Sequence, residues 1–286
     1  MMNRRSFLIA SIETSLAAYF TCLGKSWSQE ISHDPGSLGT MEGGPLGPVS
    51  AYLQEYRGPS GSLDSSKVQT LSFDWVQWKT NRHRQVPLQS VVGELKVQRD
   101  PLQEDNHIVY TVRQTLGQGE HMEGVYHCLR DKWLSLARWD IKVHLESGSV
   151  SIDPMTRIQE KGTREKDTLI LERDGGTERI ACPGPLICRW GLLDGGRVLN
   201  SLAASNASVF LLKEPSGILR NQHFFPAETL SFPGAREETI STFLQTGPGC
   251  LPTHWILDEQ HRPLFVTVFL LSLVLKEITS SGKEIF

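Results

Sequence analysis

After residue 66 the chain alternates apolar and polar residues with a period of two, the repeat of a strand with one face buried. In Val68 to Trp78, Leu71, Phe73 and Trp75 share a face; in Val91 to Gln98, Val91, Leu95 and Val97 oppose Glu94, Lys96 and Gln98. From Ala137 to Leu145, Trp139, Ile141, Val143 and Leu145 alternate with Arg138, Asp140, Lys142 and His144. Between these runs, His107 to Leu116 and Glu120 to Arg130 flank Gly117-Gln118-Gly119. A three-residue loop with glycine for the left-handed position predicts a hairpin whose register opposes Tyr110 to Tyr126, Ile108 to Cys128 and Arg113 to Glu123. One face is then apolar and aromatic, and the other carries complementary charge.

A second hairpin is predicted at Thr168 to Arg173, turning through Asp174-Gly175-Gly176. Pro185 suits a first helical turn, and Leu186, Trp190 and Leu193 recur at helical spacing. Gly195 and Gly196 interrupt that pattern before Val198, Leu199 and Leu202 resume it, which predicts one broken helix or two short ones. Further strands are expected at Ser208 to Lys213, Glu228 to Phe232, Thr239 to Gln245 and Thr253 to Leu257. A turn through Asp258 to Pro263 leads to a last strand, Leu264 to Leu275, which is apolar on both faces and must therefore be covered on both. The fold class that follows is mainly β: a single curved antiparallel meander or half-barrel over residues 67–280, with one broken helix packed on it. No period of twenty to fifty residues recurs to suggest a solenoid or propeller.

Two segments precede this domain. Residues 29–66 are rich in Gly, Pro and Ser and bury too little apolar surface to offset ordering, so they are expected to be a tether, with one helical turn or two over Ala51 to Arg57. Residues 1–28 carry a charged head and a short apolar core, the pattern of a removable export signal. Arg4, Arg5, Phe7 and Leu8 resemble the bacterial twin-arginine signal, although Asn3 and Ile9 depart from its pattern and Glu13 interrupts the apolar run. Ser26-Trp27-Ser28 supplies a small-any-small cleavage site after Ser28. The resemblance implies the twin-arginine export machinery as a partner and a periplasmic or secreted location. Cys22 as a lipid-bearing residue is the rival reading, disfavoured by the Tyr19-Phe20-Thr21 before it. Cleavage leaves Cys128, Cys182, Cys188 and Cys250 in an oxidising compartment, where three pairings are open. Cys182 and Cys188 are the local disulfide candidates, because Pro183-Gly184-Pro185 forces a reversal between them.

The 286 residues and formal net charge of -3 imply neither a nucleic-acid nor an anionic-membrane partner. No apolar stretch reaches the eighteen or more residues a bilayer span requires. The nucleophile elbow, the zincin helix, the phosphate loop and the dinucleotide fingerprint are all missing from the sequence, and no cofactor is implied. His121, Glu123 and His127 share one strand face and suggest a metal triad, yet strand rise parts the two histidines by roughly 20 Å, so no metal is assigned and Glu123 is expected to pair with Arg113. Asp258, Glu259 and His261, with His254 nearby, offer carboxylate beside imidazole for acid and base work, against the ordinary reading of a solvated hairpin tip. Trp75, Trp78, Trp133 and Trp139 suit sugar stacking or an apolar pocket, against the ordinary reading of core.

The closing stretch His254-Trp255-Ile256-Leu257-Asp258, the turn through Arg262-Pro263 and the apolar strand after it resemble periplasmic proteins built on long antiparallel meanders, including lipoprotein-carrier-like half-barrels. That resemblance covers about the last third of the chain and carries over no site residue. The expected function is an exported, non-enzymatic binding or structural module of unidentified ligand, with an apolar or lipid-like molecule or an envelope component as the candidates. A cell-envelope hydrolase acting on glycan or ester is the alternative.

Overall fold

The computed structural model describes residues 56, 58–79, 88–101, 106–117, 119–146, 155–173, 175–194, 196–214, 217–227, 230–231, 239–268 and 271–280, all within the unit spanning Pro48–Phe286. The export signal with Arg4, Arg5, Phe7 and Leu8, Cys22, the tether up to residue 55 and nearly all of the turn expected over Ala51 to Arg57 lie outside these residues.

Among the described residues, sixteen strands form the body of the fold. They are β1 (Gln69–Lys79), β2 (Leu88–Asp100), β3 (His107–Leu116), β4 (Glu120–Leu129), β5 (Leu136–Glu146), β6 (Met155–Glu165), β7 (Thr168–Arg173) and β8 (Gly176–Ala181), then β9 (Leu186–Cys188), β10 (Val209–Lys213), β11 (Gly217–Pro226), β12 (Leu230–Ser231), β13 (Thr239–Thr246), β14 (Thr253–Leu257), β15 (Pro263–Val268) and β16 (Leu271–Ser280). Two short helices, α1 (Arg189–Leu192) and α2 (Gly196–Ser205), separate β9 from β10. The sheet runs β8-β7-β6-β5-β4-β3-β2-β1-β16-β15-β14-β13-β11-β10-β9, with β12 attached to β13. Neighbours in the sheet are near neighbours in the chain except β1 and β16, whose antiparallel pairing joins the first strand to the last. The two sheet edges, β8 and β9, are consecutive in sequence, so the meander is a ring of strands opened at residues 182–185. β9 touches β5 and α1 touches β3, which brings the two halves of the curved sheet together around the helical segment.

The first hairpin has the predicted register, with Tyr110 opposite Tyr126, Ile108 opposite Cys128 and Arg113 opposite Glu123. Its loop glycines sit in the left-handed region, at φ 61° for Gly117 and 94° for Gly119. Arg113 Nε and Glu123 Oε1 lie 3.5 Å apart on the exposed face. The second hairpin turns as expected, pairing Arg173 with Gly176 and placing Gly175 at φ 81°.

Three local expectations need correction. Val91 is exposed, because a bulge between Trp75/Gly93 and Val76/Val91 inserts Val92 and shifts the alternation by one residue. Leu186 to Cys188 is a strand pairing in parallel with β10, so helical spacing begins only at Arg189. Of the strand expected over Glu228 to Phe232, Leu230–Ser231 is a strand, and residues 228, 229 and 232 lie outside the described residues. The apolar run from Leu264 to Leu275 is two strands folded on each other, with Val268 opposite Leu271, and its length concealed a reversal. Both faces of that pair are buried, as double apolarity requires.

Leu71, Phe73, Leu95, Val97, Ile141, Val143 and Trp255 on the inner face join Trp190, Leu199 and Leu202 of the helical segment in one core. Val76, Trp78, Ile256, Phe265 and Val274 point to the opposite side, where the Tyr56 ring meets Phe265 edge-on at 5.1 Å. Residues before β1 are hydrogen-bonded to this sheet: Ser60 pairs with Glu277, and Arg262 Nη1 donates to the Gly61 carbonyl at 2.8 Å.

Candidate functional site

The strand registers align a row of large polar and aromatic side chains across the inner face. Gln69 pairs with Arg99, Arg99 with Tyr110, Tyr110 with Tyr126, and Tyr126 with Trp139. All five are buried. The row ends at Gly162, opposite Trp139, and here a missing side chain is needed: a Cβ would stand 2.2 Å from the indole. Gly124 plays the same part for Tyr126, whose ring would lie 2.6 Å from an added Cβ. Two bulky rings thus lie flat on the sheet because their neighbours are glycine.

The helical segment closes over this row. Asp194, just after α1, accepts a hydrogen bond from Tyr110 Oη at 2.9 Å and lies 2.6 Å from Arg99 Nε. The Arg99 Nε contact is a charge contact without an aligned hydrogen bond, while Nη1 donates to the Ser65 carbonyl at 2.9 Å. Burial raises the Asp194 carboxyl above its ordinary value, although Arg99 and Tyr110 pull the other way. Desolvation opposes the charge on Arg99, but Asp194 outweighs it and raises the guanidinium pKa. The pair is an internal ion pair whose partners each need the other.

Next to it is a cluster with unspent hydrogen-bonding capacity. Glu160 on β6 accepts from Trp139 Nε1 at 2.8 Å and from Arg173 Nε at 2.6 Å, and is wholly buried. Among the described residues, Arg173 Nη2, Tyr126 Oη, Trp190 Nε1 and Glu214 Oε1 are buried atoms without a well-aligned hydrogen bond, the Trp190 indole N–H lying beside both the Tyr126 hydroxyl and the Glu214 carboxyl. Burial pushes the Glu214 carboxyl up to about 7; Arg189 and the Trp190 indole N–H oppose the shift, while Glu160 adds to it. Burial, with Glu214 and Glu160 nearby, also raises the Tyr126 hydroxyl well above its ordinary value. The Trp190 and Tyr126 rings meet edge-on at 6.1 Å. Four buried polar atoms from β4, β7, α1 and the residue after β10 therefore lack an aligned partner among the described residues, and such atoms are costly unless something satisfies them. Together they offer an indole N–H, a phenol, a guanidinium N–H and a carboxyl that is half protonated near neutrality.

The residues singled out in the sequence lie elsewhere. His121, Glu123 and His127 are on the outer face, and among the described residues no group of His, Cys, Asp or Glu is arranged to hold a metal. Asp258 is buried and committed to Arg262, accepting from its Nε at 2.6 Å and from its backbone N–H at 2.8 Å. His254 is buried, which lowers its pKa, and strand rise sets it roughly 13 Å along the chain from Asp258. His261 caps the turn at φ 60° against Gly196. These groups do not converge on a reacting centre.

Trp75 and Trp139 belong to the core, Trp78 donates to Ser272 Oγ at 2.7 Å, and Lys132 Nζ stands 4.3 Å over the Trp133 ring. Cys182 and Cys188 are not joined: Cys182 Sγ lies 3.7 Å from the Gly184 carbonyl, whereas Cys188 Sγ is 3.8 Å from Cys128 Sγ. A shallow groove of about 390 Å³ marks the outer face of β4 to β7, where Lys161 Nζ lies 3.5 Å from Asp140 and Arg138 Nη2 lies 3.4 Å from His127 Nδ1.

Sequence reasoning missed Arg99, Asp194, Glu160, Arg173 and Glu214. One signal was present: Arg99 continues the inward positions of Leu95 and Val97, and a charge at an inward position needs a buried partner. Nothing local identified that partner, since Asp194 lies far along the chain.

No protein-family model matches the chain, and no curated protein matches it. Among solved structures it is similar to a beta-barrel-like protein of a domain of unknown function (DUF1849) from Brucella abortus, at 6% identity and a TM-score of 0.47, over 76% of this chain and 99% of that one.

Proposed function

We propose that this protein is an exported binding module, and that Tyr126, Arg173, Trp190 and Glu214 receive the polar head of its ligand. The observation that carries the reading is the set of four buried polar atoms without an aligned hydrogen bond, gathered where the sheet meets α1. A purely structural core would pair such groups or replace them with apolar residues, because each one left unpaired costs roughly 1–3 kcal/mol. Three are hydrogen-bond donors, and the carboxyl can donate when protonated, so the fitting partner presents acceptor oxygens. An acyl carboxylate has this chemistry and agrees with the apolar or lipid-like ligand expected from the sequence. Export rests on Arg4, Arg5, Phe7 and Leu8, and is tested by replacing both arginines with lysine: the protein then stays in the cytoplasm if the twin-arginine route is used.

The binding reading is tested by titrating the protein with decanoate while following tryptophan emission, together with native mass spectrometry of material recovered from the exported fraction. Saturable binding, weakened at least tenfold in Tyr126→Phe and Arg173→Met, is the expected result. A protein that carries no bound molecule after export and gives no saturable response to decanoate would leave only a structural role.

A further inference from the structure

We propose that Cys128 and Cys188 form a disulfide that ties the edge strand β9 to β4, in the opposite half of the curved sheet. Their sulfurs lie 3.8 Å apart, both side chains are fully buried, and 60 positions of sequence separate them. A disulfide needs the sulfurs at about 2.0 Å, so closure asks for less than 2 Å of approach, within reach of small side-chain rotations. Cys188 ends β9, the outermost strand, and directly precedes α1; Cys128 stands near the end of β4 opposite Leu136. The bond would therefore fix the helical segment beneath the polar row, and with it Trp190 and Asp194.

The reaction is an exchange. Two thiols lose two protons and two electrons, one S–S bond forms between Cys128 and Cys188, and the S–S bond of a small-molecule or protein disulfide breaks to give two thiols. In the folded protein, burial and the adjoining Cys188 thiol hold the Cys128 thiol well above its ordinary pKa, so the bond forms while the sheet is still open and is shielded afterwards. Its presence in the cell rests on the export reading above, since an oxidising compartment must supply the acceptor. The chemistry itself does not.

The full chain, reduced and denatured, is refolded in a mixture of reduced and oxidised glutathione, then treated with an alkylating agent and digested. Before alkylation the intact chain is expected to be about 2 Da lighter than its reduced form; after alkylation and digestion, Cys128 and Cys188 lie in one linked pair of peptides and Cys22, Cys182 and Cys250 are alkylated. The oxidised chain resists dithiothreitol when folded but not in guanidinium, and it melts about 5–10 °C above the reduced form. A Cys128→Ala, Cys188→Ala double variant, if it folds, shows no such dependence of melting on reductant. Recovery of five alkylated cysteines, or of a Cys182 to Cys188 link, would overturn the proposal. Wild-type peptide mapping decides this whether or not the variant folds, and failure of ligand binding leaves the outcome untouched.

Discussion

Arg99 Nε lies 2.6 Å from Asp194 Oδ1 with both side chains nearly removed from solvent, and this contact fastens the helical segment to the middle of the sheet. Arg99 belongs to β2 and Asp194 follows α1, so the ion pair spans the two parts of the fold that the polar row brings together. Desolvating two charges offsets much of their attraction, which makes the intact pair worth little against an apolar replacement. Breaking it is a different matter. Arg99→Met should destabilise the protein by about 3–5 kcal/mol, because Asp194 is left as an uncompensated buried charge. Adding Asp194→Leu should recover most of that loss, as read from the guanidinium midpoint of the single and double variants. Equal losses in the two variants would mean that packing, and not charge, is the main contribution of Arg99.

Gly162 should tolerate no side chain. A Cβ there would stand 2.2 Å from the Trp139 indole, whose ring must then leave its bed and its bond to Glu160. Gly162→Ala is expected to cost roughly 1–3 kcal/mol, the usual range for overpacking, and to change tryptophan emission. Thr163→Ala, one residue along on the exposed face, should fall within about 0.5 kcal/mol of wild type. An unaltered emission spectrum in Gly162→Ala would contradict the close approach of ring and glycine.

The Glu214 carboxyl makes stability depend on pH in the direction opposite to a salt-bridged acid. Its pKa is raised from 4.5 to about 7 in the folded protein, so between these values the folded state holds a proton that the unfolded state has released. Stability from this group is therefore complete below pH 4.5, falls as pH rises toward 7, and is flat above. Glu214→Gln removes the titration. The variant should gain on wild type between pH 5 and pH 8, ending ahead by roughly 2 kcal/mol. Denaturant midpoints at the two pH values measure the difference, and a constant gap between the proteins would show that Glu214 titrates normally.

The first hairpin shows how far sequence alone reaches. Turn length and two-residue alternation are properties of neighbouring residues, and they fixed the pairing of Tyr110 with Tyr126 and of Arg113 with Glu123 before any tertiary contact was known. The same logic failed where a local irregularity intervened. One inserted residue, Val92, turned Val91 outward, and the reversal between Val268 and Leu271 carries no glycine, proline or charged residue, only Thr267 and Ser272 at its flanks.

The candidate site was less visible, because its members are far apart in the chain and individually ordinary. Glu160, Arg173, Trp190 and Glu214 have no shared spacing, and a charged residue in a strand reads first as solvated surface. The cysteines make the same point: Pro183-Gly184-Pro185 drew attention to Cys182 and Cys188, whereas the fold sets Cys188 against Cys128.

What the sequence determined by itself was the class of fold, since burial on one face of a strand imposes a repeat that any single segment displays. What only the tertiary structure decided was which strands meet, β1 with β16 above all, and which buried polar atoms end without an aligned partner. The physical reason is that periodicity is a local constraint, whereas satisfying a buried charge or closing a sheet depends on residues that the chain brings together only when it folds.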